Sequence, residues 1–480
     1  MAKTPTVALV ARSAQELLDW AALAVPLGVC LFAYAPAVGH GFISDDFRWI
    51  VESRLTRATD IAQLFSRNIG FYRPLVAVSF AADSALFGNH PLGFGWTNLV
   101  LALGCAFLLF ELVRALNVPW PGAVLGSALW LLNFRGTQTA ILWISGRTAL
   151  VLVAASLGTA IALLRGRLLV AGACLLLALF SKEEAVALPF ILCAWLVVLR
   201  RSSHPRPRVP PVAWLALSCL ALALYALMRA RSGAMTPQSA PPYYHFTFEA
   251  ARVVENALQY ADPTLTLSAA TCLGAFLLLS PLSGRIAPDA STLLCGTLWI
   301  LGGYGLTLFL EVRSTLYACF PSIGASVIGA EVCVALWRRA TASSQRRATV
   351  AAIVLPLALI PVFRARNRRW VDLADFSSCL LKNLEAETAS VPEGSQVVLI
   401  DEDRARRVNV ESAFGTLIND AYFLQSGRRL DIWVEPPLAR AAQGGLERPC
   451  PSCVSLELRL RDGRLTPRET PGHGPRTRPN

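Results

Sequence analysis

The apolar residues of this chain come in long blocks, and few solvents other than a lipid bilayer accommodate such blocks in one protein. A helix needs about 20 apolar residues to cross a hydrocarbon core of roughly 30 Å. Eleven blocks meet or approach that length, at 19–39, 93–115, 120–135, 147–164, 168–182, 185–199, 211–230, 264–281, 291–310, 314–337 and 348–363. Composition agrees, with 54% hydrophobic and 16% charged residues and a mean hydropathy of +0.48. A soluble protein carries about a quarter charged residues. The expected fold is an all-α polytopic membrane protein of about 11 transmembrane helices. The stretch "YRPLVAVSFAADSALFG", residues 72–88, is apolar but long enough for only half a bilayer. It is read as an interfacial helix. The first block is too long for a cleaved signal and is read as a retained anchor.

Charge sets the expected orientation. With the N-terminus inside, the inner loops carry Arg165 and Arg167, then Arg200, Arg201, Arg206 and Arg208, then Arg338, Arg339, Arg346 and Arg347. The opposite face carries Asp45, Asp46, Glu52, Asp60, Glu183, Glu184, Glu249, Asp262 and Glu311. This positive-inside pattern places the loop at 40–92, the 231–263 loop and the C-terminal region outside the cytoplasm. It also accounts for much of the net charge of +12 without a nucleic-acid partner. High Ala, Arg and Leu with little Lys suggests a bacterial chain, hence the inner (cytoplasmic) membrane.

The membrane domain is taken as 1–363. Beyond it, "SQVVLI" and "RRLDIWV" read as strands, with a helix near 371–389 and another in "AFGTLINDAYFL". A small extracytoplasmic α/β domain is expected over 364–436. The Arg-, Pro- and Gly-rich 437–480 is expected to be a largely disordered tail. Of the twelve cysteines, Cys30, Cys105, Cys174, Cys193 and Cys219 sit in apolar blocks as small hydrophobes. Cys450 and Cys453 form one CxxC; a zinc site needs four ligands, so a local disulfide is expected.

Two adjacent carboxylates, Asp45 and Asp46, follow the first apolar block. Such a pair serves equally as helix caps or as acid–base groups whose pKa is raised by apolar surroundings. Polar groups gather at the same ends of other blocks: Tyr72-Arg73-Pro74, His90-Pro91, Asn98, Trp143-Ile144-Ser145-Gly146-Arg147, Ser181-Lys182-Glu183-Glu184, and Glu311 with Arg313. Ionisable groups at membrane depth are costly and tend to be functional. Arg147, Lys182 and Arg313 are cations suited to a phosphate. Singly, each also fits a snorkelling side chain or an interfacial salt bridge.

The order of these motifs resembles one family. An acidic pair in "FISDD", then "YRPL", "HPLGFGWTNLVL", "WISGR", "SKEEA" and "EVRSTLYACFPSIG" is similar to the membrane O-mannosyltransferases with tetratricopeptide repeats and their bacterial relatives, within the C-type (GT-C) glycosyltransferases. The resemblance covers roughly residues 20 to 325. It implies transfer of a sugar, a hexose such as mannose, from a polyprenyl-phosphate donor to an acceptor hydroxyl on a protein, lipid or glycan. It implies Asp45 or Asp46 as base, with Asp46 favoured as the acid nearer the following helix. Arg147, Lys182 and Arg313 would hold the donor phosphate, and Tyr72, Arg73, His90 and Glu183 would contact substrate. No cofactor or metal is expected, a divalent ion being the less favoured alternative. The chain departs from the family where a second histidine is common, since Asn98-Leu99-Val100-Leu101-Ala102 has none, and it lacks the repeats. Two other readings stay open: a transporter or flippase of lipid-linked sugars, and a catalytically degenerate scaffold.

Overall fold

The computed structural model describes residues 22–55, 57–67, 70–202, 207–236, 239–436 and 454–467. A helix occupies each of the eleven apolar blocks. Among the described residues, five helices are long and apolar enough to cross a membrane unaided: Pro91–Ala115, Ile144–Leu164, Pro211–Ser232, Ala250–Leu279 and Ala342–Glu387. The other blocks hold shorter helices, such as Leu168–Leu179 and Ser322–Trp337. Among the described residues, then, five of the eleven blocks hold helices of spanning length. The chain is nonetheless built as a multi-pass membrane protein. Large apolar side chains such as Leu169, Phe190, Leu220 and Leu301 stand exposed, which an aqueous surface would penalise and lipid would not.

Local chemistry marks the helix boundaries. Pro74, Pro91 and Pro211 each open a helix, where the missing N–H costs nothing. Gly233 closes Pro211–Ser232 at φ 66°, the left-handed cap that glycine tolerates best. The segment expected at the interface forms the helix Pro74–Phe87.

The helices alternate in direction, which sorts the charges. Arg147–Leu164 starts beside Ser145 and ends at Arg165, and Leu168–Leu179 runs back to Lys182. Leu188–Arg201 leaves again, and Pro211–Ser232 returns Arg229 to Glu183 at 3.3 Å. At the far end Gly166 lies against the Arg208 side chain. Arg165, Arg200 and Arg338 thus share one end of the bundle, and Asp45, Lys182 and Arg313 share the other.

The C-terminal sheet comprises β1 (Gln396–Asp401), β2 (Asp431–Glu435), β3 (Val454–Arg461) and β4 (Arg464–Pro467), in the order β2-β1-β3-β4. β1 pairs in parallel with both β2 and β3, and β4 is antiparallel to β3. Within the segment expected to be a largely disordered tail, residues 454–467 instead form β3 and β4, which complete the sheet. Two signals there outweigh the Arg- and Pro-rich composition. Leu456, Leu458 and Leu460 alternate with polar residues, and Asp462-Gly463, both at positive φ, makes the hairpin turn. The Asp403 carboxylate accepts from the Asp462 and Gly463 amides at 3.1 and 2.7 Å. Cys450 and Cys453, with the remainder of the tail, lie outside the described residues.

This domain is not detached from the membrane region. Phe42, Phe47, Ile50 and Phe80 of the first outer loop share one apolar core with Phe414, Ile418 and Leu458. Phe47 stacks on Phe414 with centroids 5.7 Å apart. The Ser44 amide donates to the Ala413 carbonyl at 2.6 Å, and the Ser377 hydroxyl to the Phe42 carbonyl at 2.9 Å.

Candidate active site

A cavity of about 630 Å³ opens where the first outer loop, three helix ends and the C-terminal domain meet. Its lining includes Asp45, Arg48, Arg73, Lys182 and Arg313, with Trp49, Trp143, Tyr243, Tyr244 and Tyr317 as aromatic walls. Four cationic side chains and one carboxylate on one surface favour an anion, and guanidinium groups match phosphate oxygens in pairs.

Each cation is held in place by an acid outside the cavity lining. Arg73 donates through Nε and one terminal nitrogen to Glu183 Oε2 at 3.0 and 2.7 Å. Burial pushes the Glu183 carboxyl up, but the Arg73 and Arg229 guanidiniums outweigh it and hold the group below its usual range. Lys182 Nζ reaches Glu184 at 2.6 Å and lies 4.9 Å over the Tyr317 ring. Arg313 pairs with Glu255 at 2.6 Å and donates to Asn256 at 2.7 Å. Arg48 is the loosest, half exposed and 3.8 Å from Asp420.

The two adjacent aspartates part company. Asp45 lines the cavity, at the N-terminal cap of the helix Asp46–Ser53. Asp46 is fully buried. Its Oδ1 accepts from the Ser145 amide at 2.7 Å and the Ser145 hydroxyl at 2.5 Å, and its Oδ2 from the Ile43 amide at 3.0 Å. Burial pushes its pKa up to about 7, the Asp45 charge adding to the rise and the hydrogen bonds from Ser145 and Ile43 opposing it. A group so enclosed fastens the loop that presents its neighbour.

Arg147 is the clearest departure from the sequence reading. It is fully buried, not at the cavity. It bonds to Asp83 at 2.5 Å, Asn98 Oδ1 at 2.9 Å, and the Phe94 and Ser79 carbonyls at 3.0 and 3.2 Å, with the Phe80 ring 4.6 Å below. Its guanidinium is thus engaged within the protein, and it is not part of the cavity lining. The rest of the "WISGR" turn is also fastened. Asn98 donates to the Trp143 and Ile144 carbonyls at 3.1 Å each. A Cβ on Gly146 would come within 2.6 Å of the Thr139 carbonyl oxygen, so the turn packs too closely for a side chain.

Neither a family model nor a curated protein sequence matches the chain. Among the solved structures that resemble its fold are the following two. One is ArnT from Cupriavidus metallidurans bound to undecaprenyl phosphate, at 12% identity and a TM-score of 0.46, over 94% of each chain. The other is the Archaeoglobus fulgidus oligosaccharyltransferase tethered to an acceptor peptide, at 10% identity and a TM-score of 0.48, over 89% of this chain and 64% of that one. Both scores lie below 0.5, so the functional reading is carried by the cavity itself.

Of the residues singled out in the sequence, Asp45, Arg73, Lys182 and Arg313 converge on the cavity. Glu183 lies one shell back, in a side pocket of about 150 Å³ that shares Arg73, Tyr244 and Tyr317 with the main cavity. Tyr72 does not line the cavity: it is buried, donates to the Phe65 carbonyl at 3.2 Å and packs on Phe180 and Tyr225. His90 is exposed at the start of Pro91–Ala115, also away from the lining. Sequence reasoning missed Arg48, one helical turn after Asp45, a spacing that could have exposed it. It also missed Tyr243 and Tyr244 of the 231–263 loop. Gly415, Thr416 and Leu417 reach the lining from the C-terminal domain, and no local pattern announces them. Among the described residues no three His, Cys, Asp or Glu side chains gather as metal ligands.

Proposed function

We propose that this chain is an integral-membrane glycosyltransferase that moves a sugar, a hexose such as mannose, from a polyprenyl-phosphate donor to an acceptor hydroxyl. The observation that carries this reading is the placement of Asp45 beside Arg48, Arg73, Lys182 and Arg313 in one cavity at a helix-bundle end. Asp45 takes the proton of the acceptor hydroxyl as general base. The acceptor oxygen attacks the anomeric carbon from the face opposite the phosphate. The bond from that carbon to the phosphate oxygen breaks, and the configuration inverts. The lipid phosphate leaves with the electron pair, and the cavity cations bind the charge that develops on it. Side-chain cations supply the positive charge, and no divalent metal is part of the proposal.

Asp45 replaces Asp46 as the favoured base because a base must reach its proton within hydrogen-bond distance. The three donors bound to Asp46, and its full burial, remove it from that position. The arginine-rich bundle end faces the cytoplasm by the positive-inside rule, which puts the cavity on the extracytoplasmic side of a bacterial inner membrane. A carrier would place charged groups near mid-span at broken helices, whereas the cavity's charges gather at one bundle end.

The test compares extracytoplasmic glycans, by mass spectrometry, in cells with and without the intact gene. It is paired with incubation of the purified chain with polyprenyl-phosphate mannose and a membrane extract that supplies acceptor hydroxyls. Loss of one glycosylated species without the gene, and release of polyprenyl phosphate in vitro, are expected. Identical glycan profiles in the two strains would overturn the reading.

A further inference from the structure

The stretch "FRARNRRW" plays no part in the cavity, yet it puts Arg364, Arg366, Arg368 and Arg369 within six residues. These arginines lie at the wrong end of the bundle for topology to explain them. Arg364 donates to the Phe32 carbonyl at 2.9 Å and Asn367 to the Ala33 carbonyl at 3.0 Å. Both carbonyls belong to the helix Ala22–Ala37, which leads into the Asp45 loop. The arginines are therefore at the cavity end, opposite Arg165, Arg200 and Arg338. They also sit at a lipid boundary, since Val350, Ile353, Val354, Leu357 and Val362 just before them are exposed apolar residues.

Neighbouring arginines have acidic partners: Arg135 has Asp262, Arg404 has Glu411, and Arg406 has Asp403 and Asp462. Among the described residues no ion pair takes up Arg366 or Arg369, although the two like charges stand one turn apart on the same helix. Like charges held together without an acid are costly unless an anion joins them. The cluster is also held in place. Arg366 lies 4.7 Å over the Phe134 ring, Arg369 lies 5.4 Å over the Trp370 ring, and Gln138 bridges Arg369 to the buried Asn367. Two donors one turn apart, Arg366 Nε and Trp370 Nε1, have no acceptor.

We propose that Arg366 and Arg369, one turn apart on the helix Ile360–Glu387, form a headgroup site for an anionic phospholipid in the leaflet on the cavity side. The phosphate accepts from the guanidiniums while the acyl chains lie along the exposed face of Ala342–Ala358. A membrane lipid is the occupant because the cluster adjoins that lipid-facing surface. The site does not depend on the sugar-transfer reading, and its test involves no turnover.

Full-length protein in detergent micelles is titrated with dioleoyl phosphatidylglycerol, dioleoyl phosphatidylcholine or inorganic phosphate, and bound lipid is counted by native mass spectrometry. Retention of phosphatidylglycerol over phosphatidylcholine is expected. The double variant Arg366→Gln/Arg369→Gln should bind phosphatidylglycerol about 30-fold more weakly. Arg366→Lys/Arg369→Lys should restore most of that binding, and the far-end pair Arg338→Gln/Arg339→Gln should leave it unchanged. Equal retention of both lipids, displacement by millimolar inorganic phosphate, or a double glutamine variant that binds as the parent does would each overturn the proposal.

Discussion

Asp45 and Asp46 are neighbours in the chain and opposites in surroundings, and the contrast extends to two whole regions of the molecule. Around Asp46 lies a dry frame in which Ser145, Asn98, Asp83 and Arg147 hold one another by buried hydrogen bonds. Around Asp45 lies a wet wall where Arg48, Arg73, Lys182 and Arg313 stand at a cavity. Both regions are polar and both sit at the same bundle end. They differ in whether a donor has an unspent direction. In the frame each charge is satisfied inside the protein, so removing one strands its partner without water. On the wall a second anion can still be received, so removing a cation weakens binding before it weakens the fold. The two regions should therefore respond to mutation on different measurements.

The largest effect belongs to the frame. Arg147→Met leaves the Asp83 carboxylate buried and unpaired, at a cost of about 3–5 kcal/mol. The yield of folded protein and the thermal midpoint in detergent should both fall steeply. An Arg147→Met protein that folds normally and has lost only donor affinity would return Arg147 to the wall. On the wall, Arg48→Ala should raise the KM for donor roughly tenfold through one lost charge-assisted contact. Its thermal midpoint should stay put, because the side chain is half exposed and its ion pair is long. Lys182 straddles the contrast: its buried partner Glu184 means that Lys182→Met should lower both donor affinity and stability.

A pH titration sharpens the comparison further. Free aspartate ionises near 4, whereas buried Asp46 stays protonated up to about 7. Its contribution to stability is thus fully present below about pH 4 and lost as pH rises to about 7. The thermal midpoint of the parent should fall across that window by more than that of Asp46→Asn, and equal slopes would contradict the assignment. The smallest effect is expected at His90, which is exposed and outside the cavity lining. His90→Ala should change stability by less than about 0.5 kcal/mol and leave transfer kinetics as they were.

The division between frame and wall also explains what could be read from the sequence. Membrane class, helix positions and the bundle end that gathers polar groups were legible, because apolar block length and arginine placement act locally. The strands Gln396–Asp401 and Asp431–Glu435 were legible in apolar runs bounded by turns, whereas their parallel pairing was not. The hairpin of Val454–Arg461 with Arg464–Pro467 was hidden by the arginines and prolines around it, although its Asp-Gly turn was in plain view. Within the site, motif order picked out polar residues near the cavity but could not separate those facing in from those facing away. Arg147 and Lys182 look alike in sequence, each a cation just before or after an apolar helix. Only packing tells that Asp83 and Asn98 consume one while the other reaches the lining. Thr416 and Leu417 come to the cavity from a domain more than 200 residues downstream of Lys182, a contact that no periodicity encodes.

The most direct measurement is single-turnover transfer from polyprenyl-phosphate mannose by Asp45→Asn and Asp46→Asn, side by side, with donor binding and thermal midpoint recorded for each. Asp45→Asn should bind donor and melt like the parent while transferring at least about 100-fold more slowly. Asp46→Asn should melt earlier, because its new amide N–H would face the Ile43 amide donor, while its folded fraction still transfers sugar. Transfer by Asp45→Asn at the parental rate, with the loss confined to Asp46→Asn, would contradict the account.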